Sequence, residues 1–562
     1  MNRFLFVGVV CFSLGCGKED PDVVETGTVE TGDSETGEES GADSGSDEEV
    51  GTLTLSPAEI RVAPATEFSF RAQVSGEAVE AVFESSDSSI LELSADGQAR
   101  AISDGEVEIS ATWEGQSALA AVEVSSSGEM SIQVVDGATN SPLSDMRVLV
   151  EGETYFTDTS GRVSLEVEEL GAQSILVYPE DAHLYTSALF LDVMAQDLIL
   201  PLRTRDAGDP GSVVLEGDVD LSETLLSGPD EKGAGLITIG MGSVSFQQGA
   251  LFFPLEQLFA SNRTLSLEGI PVDIPSNLFI RDYGESWEGT AHPGAASVWA
   301  FGGPVPRSEL AQGLSGVAEV LQFLVPHFDA FTWTHVDGIE AVSGGTHEVD
   351  LLPNLPFDDR IEVVLPPLPD GIQSTTNALL ISLSGDSDAG PLMTGMGQGK
   401  SSMLMSRVNP SDVDGESGQV LAIAQVDGFG SDGAQSLALV DIVEGIAELT
   451  EWQELASILE FDKDSMMLKI SADSSADVLR AHVRSASGDR RDIYMPAGDQ
   501  ERTLPSDGPP IGLASTSWNL MSIETPSETY EGLLTSGGLS QVELRKLATS
   551  TARTVVEFRP TQ

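Results

Sequence analysis

Six residues at alternating positions, His327, Asp329, Phe331, Trp333, His335 and Asp337, bring together the side chains best suited to chemistry in this chain. On one strand they would share a face, with Phe328, Ala330, Thr332, Thr334 and Val336 on the other. Two aromatic rings flanked by hydrogen-bonding groups suit stacking on a sugar or gripping a peptide, which makes Phe331, Trp333, His327 and His335 the ligand-binding candidates. Imidazoles and carboxylates together, with His347 nearby, also form a donor set for zinc. That reading gives Asp329, Asp337 and His347 as metal candidates. The same pattern describes a sheet face covered by a preceding helix, with Trp333 in the core, and aromatics more often end there.

Two acidic turns, Asp412-Val413-Asp414-Gly415-Glu416 and Asp386-Ser387-Asp388, cluster the oxygens that Ca2+ takes. Asp412 and Asp414 are the metal candidates here, and calcium is the one cofactor to consider. Neither turn fits an EF-hand. In the first, Pro410 stands at a ligand position and Leu421 where the closing glutamate belongs; in the second, Ala389 and Gly390 follow too early. Gly395-Met396-Gly397-Gln398-Gly399-Lys400-Ser401 imitates a phosphate-binding loop, but Thr394 replaces the first glycine and no helix signal follows. Gln312-Gly313-Leu314-Ser315-Gly316 is not the nucleophile elbow of hydrolases, and no spacing among the 6 histidines singles out a general base.

These residues depend on the elements that carry them. Leu310, Leu314, Val317, Leu321 and Leu324 recur at helical spacing and stop before Pro326, so a helix is expected there, with a strand starting after it. A second helix is expected from Ser540, with Glu543 in capping-box position. Elsewhere period-two alternation dominates: Phe68, Phe70, Ala72 and Val74; Val107, Ile109 and Ala111; Ala118, Ala120, Val122 and Val124; Met146, Val148 and Val150. The expected fold class is mainly β, with tandem β-sandwich domains followed by a β-rich C-terminal region carrying a few helices.

Three stretches resemble known families. Val82-Phe83-Glu84-Ser85-Ser86-Asp87, Asp96-Gly97 and Val107-Glu108-Ile109 make residues 51–126 resemble the bacterial Ig-like domain of the invasin and intimin type. That resemblance implies a stalk or adhesive module without catalytic residues. Thr157-Asp158-Thr159-Ser160-Gly161-Arg162, followed by Val163, Leu165 and Val167, makes 127–203 resemble the carboxypeptidase regulatory-like (prealbumin-like) sandwich. This is an accessory module and no licence to infer an enzyme. Phe12-Ser13-Leu14-Gly15-Cys16 closes an apolar leader that follows Arg3, and it resembles the lipobox of bacterial lipoproteins. The resemblance implies removal of residues 1–15, lipidation of Cys16 and, with Gly17 next, the outer membrane. Residues 204–562 resemble no named family; a division into 204–390 and 391–562 is expected from composition.

Residues 16–50 read as an acidic, disordered tether: between Glu19 and Glu49 stand 13 acidic residues and no Lys, Arg or His. Over 562 residues, Lys+Arg 27 against Asp+Glu 91 gives a net charge of -64, which argues against nucleic acid and against docking on anionic lipid through charge. The only cysteines are Cys11 and Cys16, so the mature chain is expected to hold no disulfide and no thiolate metal site. The leading functional reading is an outer-membrane-anchored surface lipoprotein that binds or adheres without catalysis, its partners being the membrane through the lipid and a glycan or protein ligand. The alternatives are a cell-surface hydrolase with its catalytic part in 204–562, and a structural envelope component.

Overall fold

A strand whose side chains are apolar on both faces needs cover on both sides. The runs Gln173–Tyr178 and Ser187–Val193 have that character, and in the computed structural model of the protein most of their side chains are buried. The structure describes residues 51–562 except 205–212, 242–261, 311–323, 393–400, 408–418, 426–433, 505–515, 559–562 and short runs or single positions between them. Cys16, the acidic segment, Asp412, Asp414, the glycine-rich 395–400 and most of the expected helix 310–324 therefore lie outside the described residues.

The first module contains β1 (Glu59–Val62), β2 (Gly105–Trp113) and β3 (Gln116–Val124). Along β2 the buried Val107, Ile109 and Ala111 alternate with more exposed residues, as the period predicts. β2 and β3 form a hairpin through Glu114 and Gly115, both at positive φ (47° and 86°), the geometry that matches strand twist in a two-residue turn. The second module holds β4 (Glu129–Asp136), β5 (Arg147–Val150), β6 (Glu153–Phe156), β7 (Arg162–Glu166), β8 (Gln173–Tyr178), β9 (Ser187–Val193) and β10 (Asp197–Leu202). Its two sheets run β7-β4-β10 and β6-β5-β8-β9.

The remainder is carried by β11 (Glu231–Met241), β12 (Gly294–Pro306), β13 (Thr332–Ala341), β14 (Thr375–Ser384), β15 (Asp388–Leu392), β16 (Gln419–Gln425), β17 (Gln435–Asp441), β18 (Val478–Ser485), β19 (Arg490–Pro496), β20 (Thr516–Glu524), a helix Tyr530–Ser536 and β21 (Ser550–Phe558). The second module does not end at β9. Its sheet continues into a 12-stranded sheet of order β6-β5-β8-β9-β19-β18-β20-β21-β17-β16-β14-β15. The join is a parallel pairing: Ser187 opposite Arg491, Ala188 opposite Asp492, Leu189 opposite Ile493 and Phe190 opposite Tyr494. The expected boundary at 390 falls inside β15, which pairs with β14, so it runs through a sheet rather than a linker.

The core follows from this join. Val148, Ile175, Val177 and Phe190 face the first module and the Tyr530–Ser536 helix. Leu149, Leu176, Leu189 and Leu191 point the other way and form one face with Leu479, Ile493, Trp518 and Leu520, packed with Leu468 and Ile470 of a separate three-stranded sheet. At the far end, Val420, Ala422, Ala438 and Val440 pack on Trp299, Phe301 and Trp333 of a five-stranded sheet that includes β11, β12 and β13. Arg307–Leu310 is helical, and the Ser540 hydroxyl accepts from the Glu543 amide (3.3 Å), capping a turn as the spacing predicts. Among the described residues no helix is long and apolar enough to cross a membrane.

If the second module relies on β19 and its neighbours, residues 51–203 prepared alone expose Leu149, Leu176, Leu189 and Leu191. Each is worth about 1.5–3 kcal/mol of burial. The fragment is expected to melt well below the full chain and to self-associate, as followed by thermal denaturation and light scattering. A monomeric fragment with the full chain's melting temperature would show that the join is dispensable.

Candidate functional site

The alternating His/Asp/aromatic set does not form one strand. Val325–Ala330 is a 3-10 turn, and β13 starts only at Thr332. Pro326 sits in the first turn of that helix, where its missing N–H costs nothing. His327 and Asp329 therefore leave the sheet face. Farther on, Ala296 pairs with Ile339 but Val298 with Val336, so β13 carries one extra residue at Asp337–Gly338, with Gly338 at φ 65°. The bulge resets the alternation just where Asp337 was to have continued it.

The rings are core, which corrects the reading of an exposed platform. Trp333 is 0% and Phe331 2% exposed. Trp333 stacks on Trp299 at 5.9 Å between centroids and donates its indole N–H to the Pro356 carbonyl (3.2 Å). His335 lies flat on Trp299 at 4.6 Å, half-buried. Asp329 is taken up by Arg360 (2.8 Å) and by the Ser406 hydroxyl (3.2 Å). His347 belongs to Thr346–Glu348 in a different sheet, where it pairs with Leu215. Asp329, Asp337 and His347 are thus spread over three elements, and among the described residues no three His, Cys, Asp or Glu side chains are grouped to hold a metal.

Two other places concentrate polar groups. One is a cleft of about 880 Å³ between the first and second modules. Glu59, Glu106, Glu108 and Glu123 line it, and Arg61 spans it to Asp197 with two bonds of 2.8 and 2.9 Å. Glu106 and Glu123 are direct cross-strand neighbours, a like-charge pairing that disfavours anions and favours cations there.

The other lies where β9, β18 and β19 meet. Asp492, 1% exposed, accepts from Arg203 Nε (3.1 Å) and Arg480 Nη2 (3.3 Å). His482 Nδ1 lies 2.8 Å from Asp492 Oδ1 and 2.7 Å from Arg203 Nη2. Either tautomer satisfies one of these contacts and not the other, so one ring nitrogen bridges acid and base. Desolvation works to raise the Asp492 carboxyl, but Arg203, Arg480 and His482 outweigh it and hold it well below the usual range. Burial pushes His482 down, so it is neutral near pH 7. Arg480 also lies over the Tyr494 ring at 5.7 Å. This network escaped the sequence reading, although four arginines between 480 and 491 stand out in a chain with 27 basic residues.

A third polar contact fixes the first two modules to the C-terminal part. Thr529 caps the Tyr530–Ser536 helix by accepting from the Gly532 amide (3.1 Å). A Cβ on Gly532 would lie 2.2 Å from Ser56 Oγ, so only glycine lets the helix approach the first module. Glu528 bonds Ser56, and Arg71 donates to the Thr525 and Glu528 carbonyls (2.9 and 2.8 Å) and to Asp477 (2.7 Å). Buried Glu531 accepts from the amides of Met194 (3.2 Å) and Ala195 (3.1 Å) in the second module. Burial pushes its carboxyl up to about 7 despite these bonds, and Asp192 adds to the rise.

No family model matches the chain, and no curated protein is significantly similar to it. Among solved structures it is similar to a tetra-tandem repeat from the extending region of a large adhesion protein, at 10% identity over 91% of this chain and 99% of that one, with a TM-score of 0.13. It is also similar to two B repeat units of the Staphylococcus aureus collagen binding protein (7%, 81% and 100%, TM-score 0.15) and to the streptococcal ancillary pilin (10%, 47% and 79%, TM-score 0.13). Scores this low carry no argument, and the fold rests on the strand topology itself.

Trp333→Ala is expected to cost about 3–5 kcal/mol in denaturant unfolding, the range for a buried large aromatic. A loss below 1 kcal/mol would return the ring to the surface. Because the folded state holds the Glu531 proton more tightly than the unfolded chain, whose value is near 4.5, this stability is complete below about pH 4.5 and lost as pH rises through about 7. Relative to Glu531→Gln, the wild-type chain is expected to lose up to about 3 kcal/mol between pH 5 and pH 8. A constant difference across that range would mean that Glu531 titrates as an exposed carboxyl.

Proposed function

We propose that the chain is a surface lipoprotein, held in the outer membrane through Cys16, that acts as a non-catalytic binding or adhesion protein. Its leader and lipobox-like Phe12–Cys16 supply the anchor, and the acidic residues 16–50 a spacer. The resemblance of 51–126 and 127–203 to Ig-like and carboxypeptidase regulatory-like sandwiches supports display at a surface. The observation that carries the reading is the join of β9 to β19. A stalk of independent beads would leave the N-terminal modules without contact to the last hundred residues. Here both share a core with them, and the second also shares a sheet. The N-terminal sandwiches are therefore walls of the binding body, not a jointed arm beneath it.

Cys16→Ser is expected to move the protein from the membrane to the soluble fraction on cell fractionation, and to remove it from protease attack on intact cells. Membrane partitioning identical to wild type would overturn the anchor.

A further inference from the structure

The cleft of about 880 Å³ between the first two modules is a groove with two unlike walls. One is the outer face of β1-β3-β2, where Glu59, Glu106, Glu108 and Glu123 are exposed and the residues between them buried. The other is the outer face of β7-β4-β10, which contributes Ser131 and Ile199. Only two cations line the groove, and both are engaged. Arg61 reaches across to Asp197, and Arg162 donates to Gln133 Oε1 (3.1 Å). Each wall also carries a like-charge pair in direct register, Glu106 opposite Glu123 and Glu129 opposite Glu166. Such pairs repel across strands. The Asp197 bond chiefly raises the Arg61 guanidinium, and Glu123 and Glu129 add to it from the two walls. Leu119 stands in the groove 58% exposed, an apolar contact among the acids. Among the described residues no three carboxylates are grouped to hold a metal, so the charge is spread along the groove rather than focused on one point.

We propose that this groove docks a short basic segment of a partner protein, with its cationic side chains on the Glu106/Glu123 wall and an apolar side chain on Leu119. Charge complementarity selects the occupant: five carboxylates line the groove against two guanidiniums that are already bonded. An ammonium or guanidinium between Glu106 and Glu123 turns their repulsion into two charge-assisted contacts. The volume lies in the range of sites for ligands of several residues or drug size. Leu119 and Ile199 offer apolar surface, and Ser131 and Thr535 offer hydroxyls to a peptide backbone. A simple polyamine would use the acids and leave the apolar and hydroxyl groups idle. The partner is therefore a peptide segment in which lysine or arginine alternates with apolar residues.

This rests on the binding-protein reading and deepens it by naming a partner class; it is tested on purified full-length protein in solution, so that its failure is separable from failure of the anchor. Calorimetric titration at physiological salt would use a hexapeptide alternating lysine with leucine, a hexapeptide alternating lysine with glycine, and spermidine. The lysine-leucine peptide is expected to bind tightest. A chain of net charge -64 attracts any cation, so the control is a matched pair of acids elsewhere. Glu216 and Glu348 are exposed and likewise stand in register, in another sheet. Replacing Glu106 and Glu123 together by Gln is expected to weaken peptide binding at least about fivefold, the scale of two partly screened ion pairs. Replacing Glu216 and Glu348 together by Gln removes the same charge and is expected to change it less than about twofold. Because the Glu106/Glu123 pair is repulsive, its removal should leave the melting temperature equal to wild type or higher, which separates lost binding from lost folding. An equal effect of the two double variants, no effect of the groove variant, or spermidine binding as tight as the lysine-leucine peptide would overturn the proposal.

Discussion

The parallel pairing of Ser187–Val193 with Arg490–Pro496 is the constraint on which the rest depends. It joins segments some three hundred residues apart and makes one sheet out of what would be two edges. An unpaired edge exposes a row of amide and carbonyl groups and invites association with other chains. Pairing removes that edge and extends the second module's apolar face across the neighbouring strands. Leu189 and Leu191 then lie beside Leu479 and Ile493 on one face of the continuous sheet, packed with Leu468 and Ile470 of a separate sheet, while Phe190 stacks on Tyr494 at 5.1 Å on the opposite face. The N-terminal modules thus owe part of their core to the C-terminal strands.

Apolar strands alone would specify this join weakly, because a shift by two residues keeps every side chain on its proper face. The buried charges supply what the apolar residues lack. Asp492 finds Arg203, Arg480 and His482 only in the observed register of β9, β18 and β19. Displaced, it would be a buried carboxylate without a counter-charge, which costs several kcal/mol. Glu531 and Arg71 act in the same sense at the helix, where each bonds backbone atoms of a neighbouring module.

Much of the β class and the strand positions of the first module were legible in the sequence, because one face of each strand is wet and the period of two survives. The second module shows the same alternation only in part. Met146, Val148 and Val150 do alternate, yet Leu149 between them is buried as well, and Ser187–Val193 is apolar on both sides. That continuous run is the trace of a second covering layer, but it does not say which distant strand provides it. The alternating set around Trp333 misled because parity assumes an unbroken strand. A 3-10 turn at Pro326 and a bulge at Gly338 interrupt it, and neither shifts composition. The Asp492 network was missed because its members come from residues 203, 480, 482 and 492, which only the fold brings together.

The distance in sequence between β9 and β19 also sets a clock. At roughly 5–20 residues per second, the ribosome reaches Arg490 some 15 to 60 s after it has finished Val193. During that interval the second module lacks both its neighbouring strand and the cover for Leu189 and Leu191. A chain that emerges from its N-terminus cannot complete its first domains first. Their final packing waits for the last segment to arrive, so whatever escorts the growing chain has to keep one sheet edge apart from its neighbours until then.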